Sequence, residues 1–404
     1  MQDQKLLRFL ELNTPCYVYD KAVIAAHAEA LLKALPGFSV LASVKTNPFL
    51  PVMRTLAEFG IGADAASARE VAIAIEAGMP KEDVYYSAAG KSNADINNSL
   101  GACVLTADSA GEIERIDALS ENAGVVSEIG VRVNPNFTME SDTGVSSKFG
   151  VCEEELIALS KRLETLKNVR VTGIHVHVKS QILDADKLGS YYEKVFAMAK
   201  RIDALPNFSI RFVNFGGGVG TVYDASCERP LDFAKLKKHA EAVVKDNENT
   251  LRARLIVESG RYLSCDAGTY YTRVVDIKES RGKKYVIVQN GLNGFLRPVM
   301  THTLNTLLPN QTFPVPEPLY TREHAFEFDV LTDETELDAY DLVGNLCTAA
   351  DVLLGNAHMK KARIGDVVSV SKAGSYAFGL TPVNFSSHPV PGEFLRTEDG
   401  FVSE

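Results

Sequence analysis

Apolar positions along this chain fall into two spacings that take turns. From about residue 36 to residue 262, short apolar runs rich in β-branched residues are each followed by a stretch whose apolar positions recur every three or four residues. The runs FSVLASV (38–44), IGADAAS (61–67), VYYSA (84–88), CVLTAD (103–108), IGVRVN (129–134), VTGIHVHV (171–178), IRFVNF (210–215) and RLIVES (254–259) read as strands. Segments such as PVMRTLAEFG, AREVAIAIEAG, SAGEIERIDALSENAG, EEELIALSKRLETL and KLGSYYEKVFAMAKRIDAL read as amphipathic helices between them. Eight strands, each followed by a helix, have the count and length of a (β/α)8 barrel. The pattern predicts such an α/β barrel over residues 22–262, with a doubly wound open sheet as the competing architecture.

After residue 265 the helical spacing fades. TYYTRVVDIKES, KKYVIVQNG, HAFEFDVLT, DAYDLVGN and DVVSVSKAGSYAF are strands and turns, which predicts a β-sandwich or small β-barrel over residues 263–404. The lone strand PCYVYD (15–20) is free to join it, so residues 1–21 are assigned to the same β-rich domain.

Composition narrows the partners without changing this outline. Of 404 residues, 46% are hydrophobic and 23% charged, which suits a folded protein of one or two domains. A net charge of −10, with no basic tract, argues against nucleic acid or an anionic membrane as partner. Cys16, Cys103, Cys152, Cys227, Cys265 and Cys347 are scattered, with no C-x-x-C pair. That points to reduced thiols and a cytoplasmic setting, and away from a disulfide framework or a zinc site. The start, MQDQKLLRFLELNTP, lacks a basic segment followed by an apolar one, and no apolar run reaches the length of a membrane span.

In a (β/α)8 barrel, chemistry collects at the carboxyl ends of the strands. The first strand ends in Lys45. A lysine at the tip of an apolar strand either reaches solvent or, partly desolvated, has the lowered pKa that favours Schiff-base chemistry. The seventh ends in NFGGGVG (214–220), either a tight turn or a backbone cradle for phosphate, which this barrel commonly binds near its last two strands. It comes too late in the chain for a dinucleotide fingerprint. The eighth ends in ESGRYL (258–263), which brings Glu258, Gly260 and Arg261 to the mouth. The sixth ends in HVHVKSQ (175–181), where strand alternation puts His175 and His177 on one face, with no third metal ligand at a typical spacing. Asp64 on the second strand and Arg132 on the fifth are expected to form an ion pair inside the barrel, functional or structural. A reactive lysine, an anion cradle, a flat ring for stacking and a carboxylate for a ring nitrogen are together the requirements of pyridoxal 5′-phosphate (PLP).

SVKTN, GADAAS, VRVNP, SKFG, HVHVKSQ, NFGGGVG, ESGR, GNLC and KAGSY occur in an order and spacing that resemble the fold type III PLP decarboxylases, which act on ornithine, lysine, arginine or diaminopimelate. The resemblance runs over nearly the whole chain. It implies that Lys45 bonds to the cofactor, that His177 stacks on its ring, and that Glu258 faces its pyridine nitrogen. Ser180, Gly216, Gly217 and Gly218 would hold the phosphate, helped by Gly260 and by Tyr376 of KAGSY, while Arg261 would serve phosphate or a substrate carboxylate. Cys347 would be the general acid that a second subunit contributes to a shared site, making a homodimer the functional unit. Glu258 favours decarboxylation over the racemisation of related alanine racemases, and retention of Lys45 and Cys347 argues against an inactive homologue.

Departures from the family pattern concern the substrate. Diaminopimelate decarboxylases carry glutamate directly after the cysteine and ornithine decarboxylases aspartate, whereas this chain has Thr348. A buried ammonium facing threonine would lack its counter-ion. GLNGFLRPVMTH (291–302) resembles the diaminopimelate enzymes' R-P-A-L-Y, keeping Arg297 as an anion-binding substrate residue but placing Thr301 at the tyrosine position. The C-T-x-x-D pattern and NFSSHPVPGEF (384–394) look most like a branch acting in siderophore and antibiotic assembly on conjugated amino acids. The expected substrate is thus an amino acid, free or conjugated, with a neutral or acidic far end. An ordinary diaminopimelate, lysine or ornithine decarboxylase is the alternative. Lys179, in place of a glycine before Ser180, would contact phosphate or substrate or only crowd the loop.

Overall fold

The structure is a computed structural model that describes residues 4–308, 318–319, 322 and 324–404. Residues 1–3 of the N-terminal stretch read above for a signal peptide lie outside them. The chain divides into two compact units, one of Ala25–Thr221 with Pro230–Leu263, the other of Met1–Ile24, Val222–Arg229 and Ser264–Glu404. In chain order the strands are β1 (Cys16–Asp20), β2 (Phe38–Ser43), β3 (Gly62–Ala65), β4 (Val84–Tyr86), β5 (Val104–Ala107), β6 (Ser127–Asn134), β7 (Val151–Cys152), β8 (Val169–His175), β9 (Phe208–Asn214) and β10 (Arg254–Ser259). There follow β11 (Gly268–Ser280), β12 (Lys283–Val288), β13 (Phe328–Leu331), β14 (Leu337–Gly344), β15 (Val352–Lys360), β16 (Val367–Val370), β17 (Gly392–Arg396) and β18 (Phe401–Val402).

The first unit is a (β/α)8 barrel. Its strands run in the order β5-β4-β3-β2-β10-β9-β8-β6, parallel throughout, and β5 pairs with β6 to close the ring. The interior is packed by Leu41, Tyr85, Phe212 and Ile256. Phe212 fits because Gly173 opposite has no side chain: a Cβ there would lie 2.4 Å from the ring. The β8–β9 register shifts between Val171 and Gly173, beside this close approach. Polar caps start the outer helices: Ser67 before Ala68–Glu76, Ser92 before Asn93–Ser99, Ser109 before Ala110–Ala123, Asp184 before Ala185–Asp203 and Asp232 before Phe233–Asn249. Each side chain takes up one of the amide groups that a helix start leaves unpaired, and Asp184 takes up two.

The second unit is mainly β. β1 sits between β11, to which it is antiparallel, and β17, to which it is parallel. The thirteen-residue β11 also pairs with β12 and β16, so it runs through two sections of the sheet. Its main core gathers Val274, Val286, Val288, Val299, Val330, Leu342, Leu353 and Val368, and a helix, Leu296–Leu307, packs on β15. Among the described residues no helix is long and apolar enough to cross a membrane.

Candidate active site

The tips of the barrel strands bring most of the predicted residues together. Lys45 lies in a 3-10 turn directly after β2, and the β2–β3 register puts Ser43 beside Asp64. That adjacency decides the pairing: Lys45 Nζ is 2.5 Å from Asp64 Oδ2, and Ser87 Oγ donates to Asp64 Oδ1 at 2.6 Å. The expected Asp64–Arg132 ion pair is therefore not formed. Arg132 is on β6, next to β5 in the ring, and its Nη1 lies 3.9 Å from Asp108, which follows β5. Its guanidinium stacks 4.2 Å from the centre of the Phe149 ring.

Glu258, near the end of β10, is buried and ordered from three sides. Asn214 Nδ2 donates to its Oε1 at 2.8 Å, His175 Nε2 lies 3.2 Å from the same oxygen, and its backbone N–H donates to Gly216 O at 2.9 Å. Burial works against the charge on Glu258, but His175, Lys45 and His177 outweigh it and hold the carboxyl well below the usual carboxylate range. Asn214 also accepts from Gly216 N at 2.9 Å, so one buried amide fixes both the carboxylate and the first glycine of the turn. Gly216 has φ +66°, and a Cβ there would lie 2.4 Å from Val176 O.

His177 departs from the alternation expected of it, because β8 ends at His175 and His177 belongs to the loop beyond. Its Nδ1 accepts from Gly217 N at 3.1 Å, and Ser180 Oγ is 3.2 Å from Nε2. Burial pushes its pKa down to about 4 despite the pull of Glu258, so the ring is neutral near pH 7. A neutral ring accepting at Nδ1 carries its proton on Nε2, where it donates to Ser180. Gly218 accepts from Ile182 N at 2.8 Å, and Gly260 packs onto Thr46 beside Lys45, where a Cβ would lie 2.2 Å from Thr46 Cγ2. Arg261 is buried, whereas Lys179 is exposed and paired with Glu140. The sequence alone does not single out Asn214, Ser87, Asp108 or Phe149 as site residues. Asn214 did carry a signal, an amide at the end of an apolar strand directly before the glycines.

The remaining candidates belong to the β-rich unit. Cys347 is exposed on the turn between β14 and β15, and Thr348 beside it is half-buried, its hydroxyl accepting from Ala350 N at 3.3 Å. Arg297, expected to bind substrate, is fully buried within the unit. Its Nη1 donates to Ser375 O and its Nη2 to Tyr223 OH, both at 3.1 Å, and the guanidinium lies near the Tyr223 and Phe326 rings. It thereby anchors the segment 372–376, whose backbone also bonds to Gly268 O and Cys265 O and whose last residue, Tyr376, has φ +52°. Among the described residues no group of three His, Cys, Asp or Glu side chains is arranged to hold a metal.

Residues 21–265 match the family model described as pyridoxal-dependent decarboxylase, pyridoxal binding domain. An L-glutamyl-[BtrI acyl-carrier protein] decarboxylase from Niallia circulans is 28% identical, over 96% of this chain and 90% of that protein. A diaminopimelate decarboxylase from Methanothermobacter thermautotrophicus is 30% identical, over 96% of this chain and 88% of its own. The crystal structure of diaminopimelate decarboxylase from Helicobacter pylori complexed with L-lysine superposes with a TM-score of 0.82 at 26% identity, covering 98% of this chain and 95% of that one. Barrel, strand-tip lysine and ionised glutamate thus stand in a chain that belongs to the fold type III pyridoxal-dependent decarboxylases, a carboxy-lyase whose cofactor is pyridoxal phosphate.

Proposed function

We propose that this enzyme decarboxylates an amino acid, free or conjugated to a larger acid or carrier, whose far end is neutral or acidic, as in siderophore or other natural-product assembly. One observation carries the reading. Thr348 follows Cys347 at the position where the family resemblance implies a carboxylate in enzymes acting on diaminopimelate or ornithine, and the nearby Asp351 is 2% exposed with both oxygens on backbone amides. The turn thus has no acid to offer a distal ammonium. The Niallia circulans relative, by its name, acts on a glutamyl group held on a carrier protein, which is a conjugated substrate of this kind. The identity to diaminopimelate decarboxylases favours the alternative of a free diamino acid, against which Thr348 and Thr301 stand.

The donor set at the barrel mouth suits the cofactor: a primary amine, an ionised carboxylate, a neutral flat ring and a glycine turn. When bound, PLP supplies an electron-poor ring that takes up the electron pair freed as CO2 leaves. Lys45 would attach it, and Asp64 orients the amine. Glu258, kept ionised, would hold a proton on the ring nitrogen, and His177 would lie against the ring face. Ser180, Gly216, Gly217, Gly218, Gly260 and Tyr376 are assigned to the phosphate, and Arg261 to the phosphate or to a substrate carboxylate. Cys347, from the second subunit of a homodimer, would deliver the proton that replaces CO2.

The test is CO2 release from a panel that includes meso-diaminopimelate, lysine, ornithine, glutamate and citryl-conjugated amino acids. Turnover of a conjugated or acidic member with little on the diamino acids is expected. Rapid turnover of meso-diaminopimelate or ornithine would overturn the proposal.

A further inference from the structure

Asp351 has a second consequence, independent of substrate charge. Its Oδ2 accepts from Leu346 N at 2.9 Å, the amide directly before Cys347, and its Oδ1 accepts from Leu292 N at 2.5 Å, in the turn that leads into the helix Leu296–Leu307. Its backbone carbonyl accepts from Gly344 N at 3.0 Å, closing the turn from the other side. The space around the carboxylate is equally specific. A Cβ on Gly291 would lie 2.2 Å from Oδ1 and one on Gly344 2.1 Å from Oδ2, so both neighbours must be glycine for the carboxylate to sit where it does.

We propose that Asp351 is a positioning residue for the reaction: its carboxylate sets the conformation of the turn presenting Cys347 and Thr348 and ties that turn to the one leading into the helix that bears Arg297. The inference rests on Cys347 being the proton donor, as proposed above. A general acid must stand within hydrogen-bond reach of the atom it protonates, so displacing its turn slows the chemical step more than it weakens binding. No substrate contact is required of Asp351, since its two oxygens already serve backbone donors. Asparagine in its place keeps the volume and one acceptor oxygen but turns an NH2 toward one of the two amides.

The experiment compares wild type, Asp351→Asn and Cys347→Ala, each loaded with PLP, by steady-state kinetics and by the rate at which iodoacetamide alkylates Cys347, read by peptide mass spectrometry. For Asp351→Asn we expect kcat to fall on the order of ten- to a hundredfold while KM stays within about threefold. The alkylation rate of Cys347 should shift by about threefold or more. Turnover and alkylation both matching wild type would overturn the role of Asp351. Full turnover in Cys347→Ala would instead overturn the proton-donor reading, while the alkylation rate still decides whether Asp351 sets the turn. If Asp351→Asn does not fold, amide exchange in the wild-type protein decides. Slow exchange at Leu292 and Leu346, both in turns, supports the inference, and fast exchange at either overturns it.

Discussion

At the scale of single residues, the barrel mouth is a set of mutually fixed charges, and Asn214 is the piece that orders them. It donates to Glu258 and accepts from Gly216, so Asn214→Leu should leave a buried carboxylate short of one donor and a glycine amide unpaired. The expected result is a loss of about 1–3 kcal/mol of stability by urea unfolding, with weaker PLP retention on dialysis. Unchanged stability and retention would contradict it. His177 gives a pH test. Its pKa falls from 6.5 to about 4 on folding, so between those values the unfolded chain takes up a proton that the folded chain refuses. Stability should therefore decline as pH drops from 6.5 toward 4, and less steeply in His177→Asn, whose side-chain oxygen can still accept from Gly217. Equal slopes in the two proteins would count against the burial of a neutral ring. What was legible at this scale is position: Lys45 and Glu258 stand at the ends of apolar runs, and the structure places both at strand tips of the barrel. Their partners were harder to read. Opposite charge alone pairs Asp64 with Arg132, whereas in a sequentially wound ring β3 neighbours β2 and its lysine.

Among the elements, strand β1 shows what sequence patterns leave out. Its apolar run marks a strand, but nothing local indicates that Cys16 lies opposite Gly392, because the pairing joins distant parts of the chain. That pairing brings Tyr19 OH within 2.6 Å of Glu393 Oε1. Burial pushes Glu393 from 4.5 up to about 7, against the lowering effect of the Tyr19 bond. A raised carboxyl means that the unfolded chain gives up its proton first, so stability falls as pH rises from 4.5 to about 7 and stays reduced above. Glu393→Gln keeps the Tyr19 hydrogen bond and should raise the melting temperature at pH 8 but not at pH 4. Equal melting temperatures at pH 8 would contradict this. The barrel helices, by contrast, were readable from their apolar spacing and their starts. Removing one such cap, by Asp232→Ala, should cost about 1 kcal/mol in chemical unfolding without altering PLP binding.

For the whole molecule, the (β/α)8 order followed from eight repeats of one pattern, while the closure of β5 on β6 and the Phe212 plug depend on three-dimensional fit that periodicity does not encode. The proposed homodimer with shared sites makes a quantitative prediction. Mixing inactive Lys45→Ala with inactive Cys347→Ala subunits should restore roughly a quarter of wild-type turnover, since half of randomly formed dimers then carry one intact site. No recovery after demonstrated subunit exchange would place Lys45 and Cys347 of each site in one subunit and overturn the shared site. The central claim, that Lys45 at the mouth of the barrel is the residue through which the cofactor acts, is tested most directly by borohydride reduction of the PLP-loaded protein followed by peptide mapping. A pyridoxyl group on Lys45, absent from Lys45→Ala, is the predicted result. A stable adduct on another lysine, such as Lys91 or Lys179, with Lys45 unmodified would contradict it.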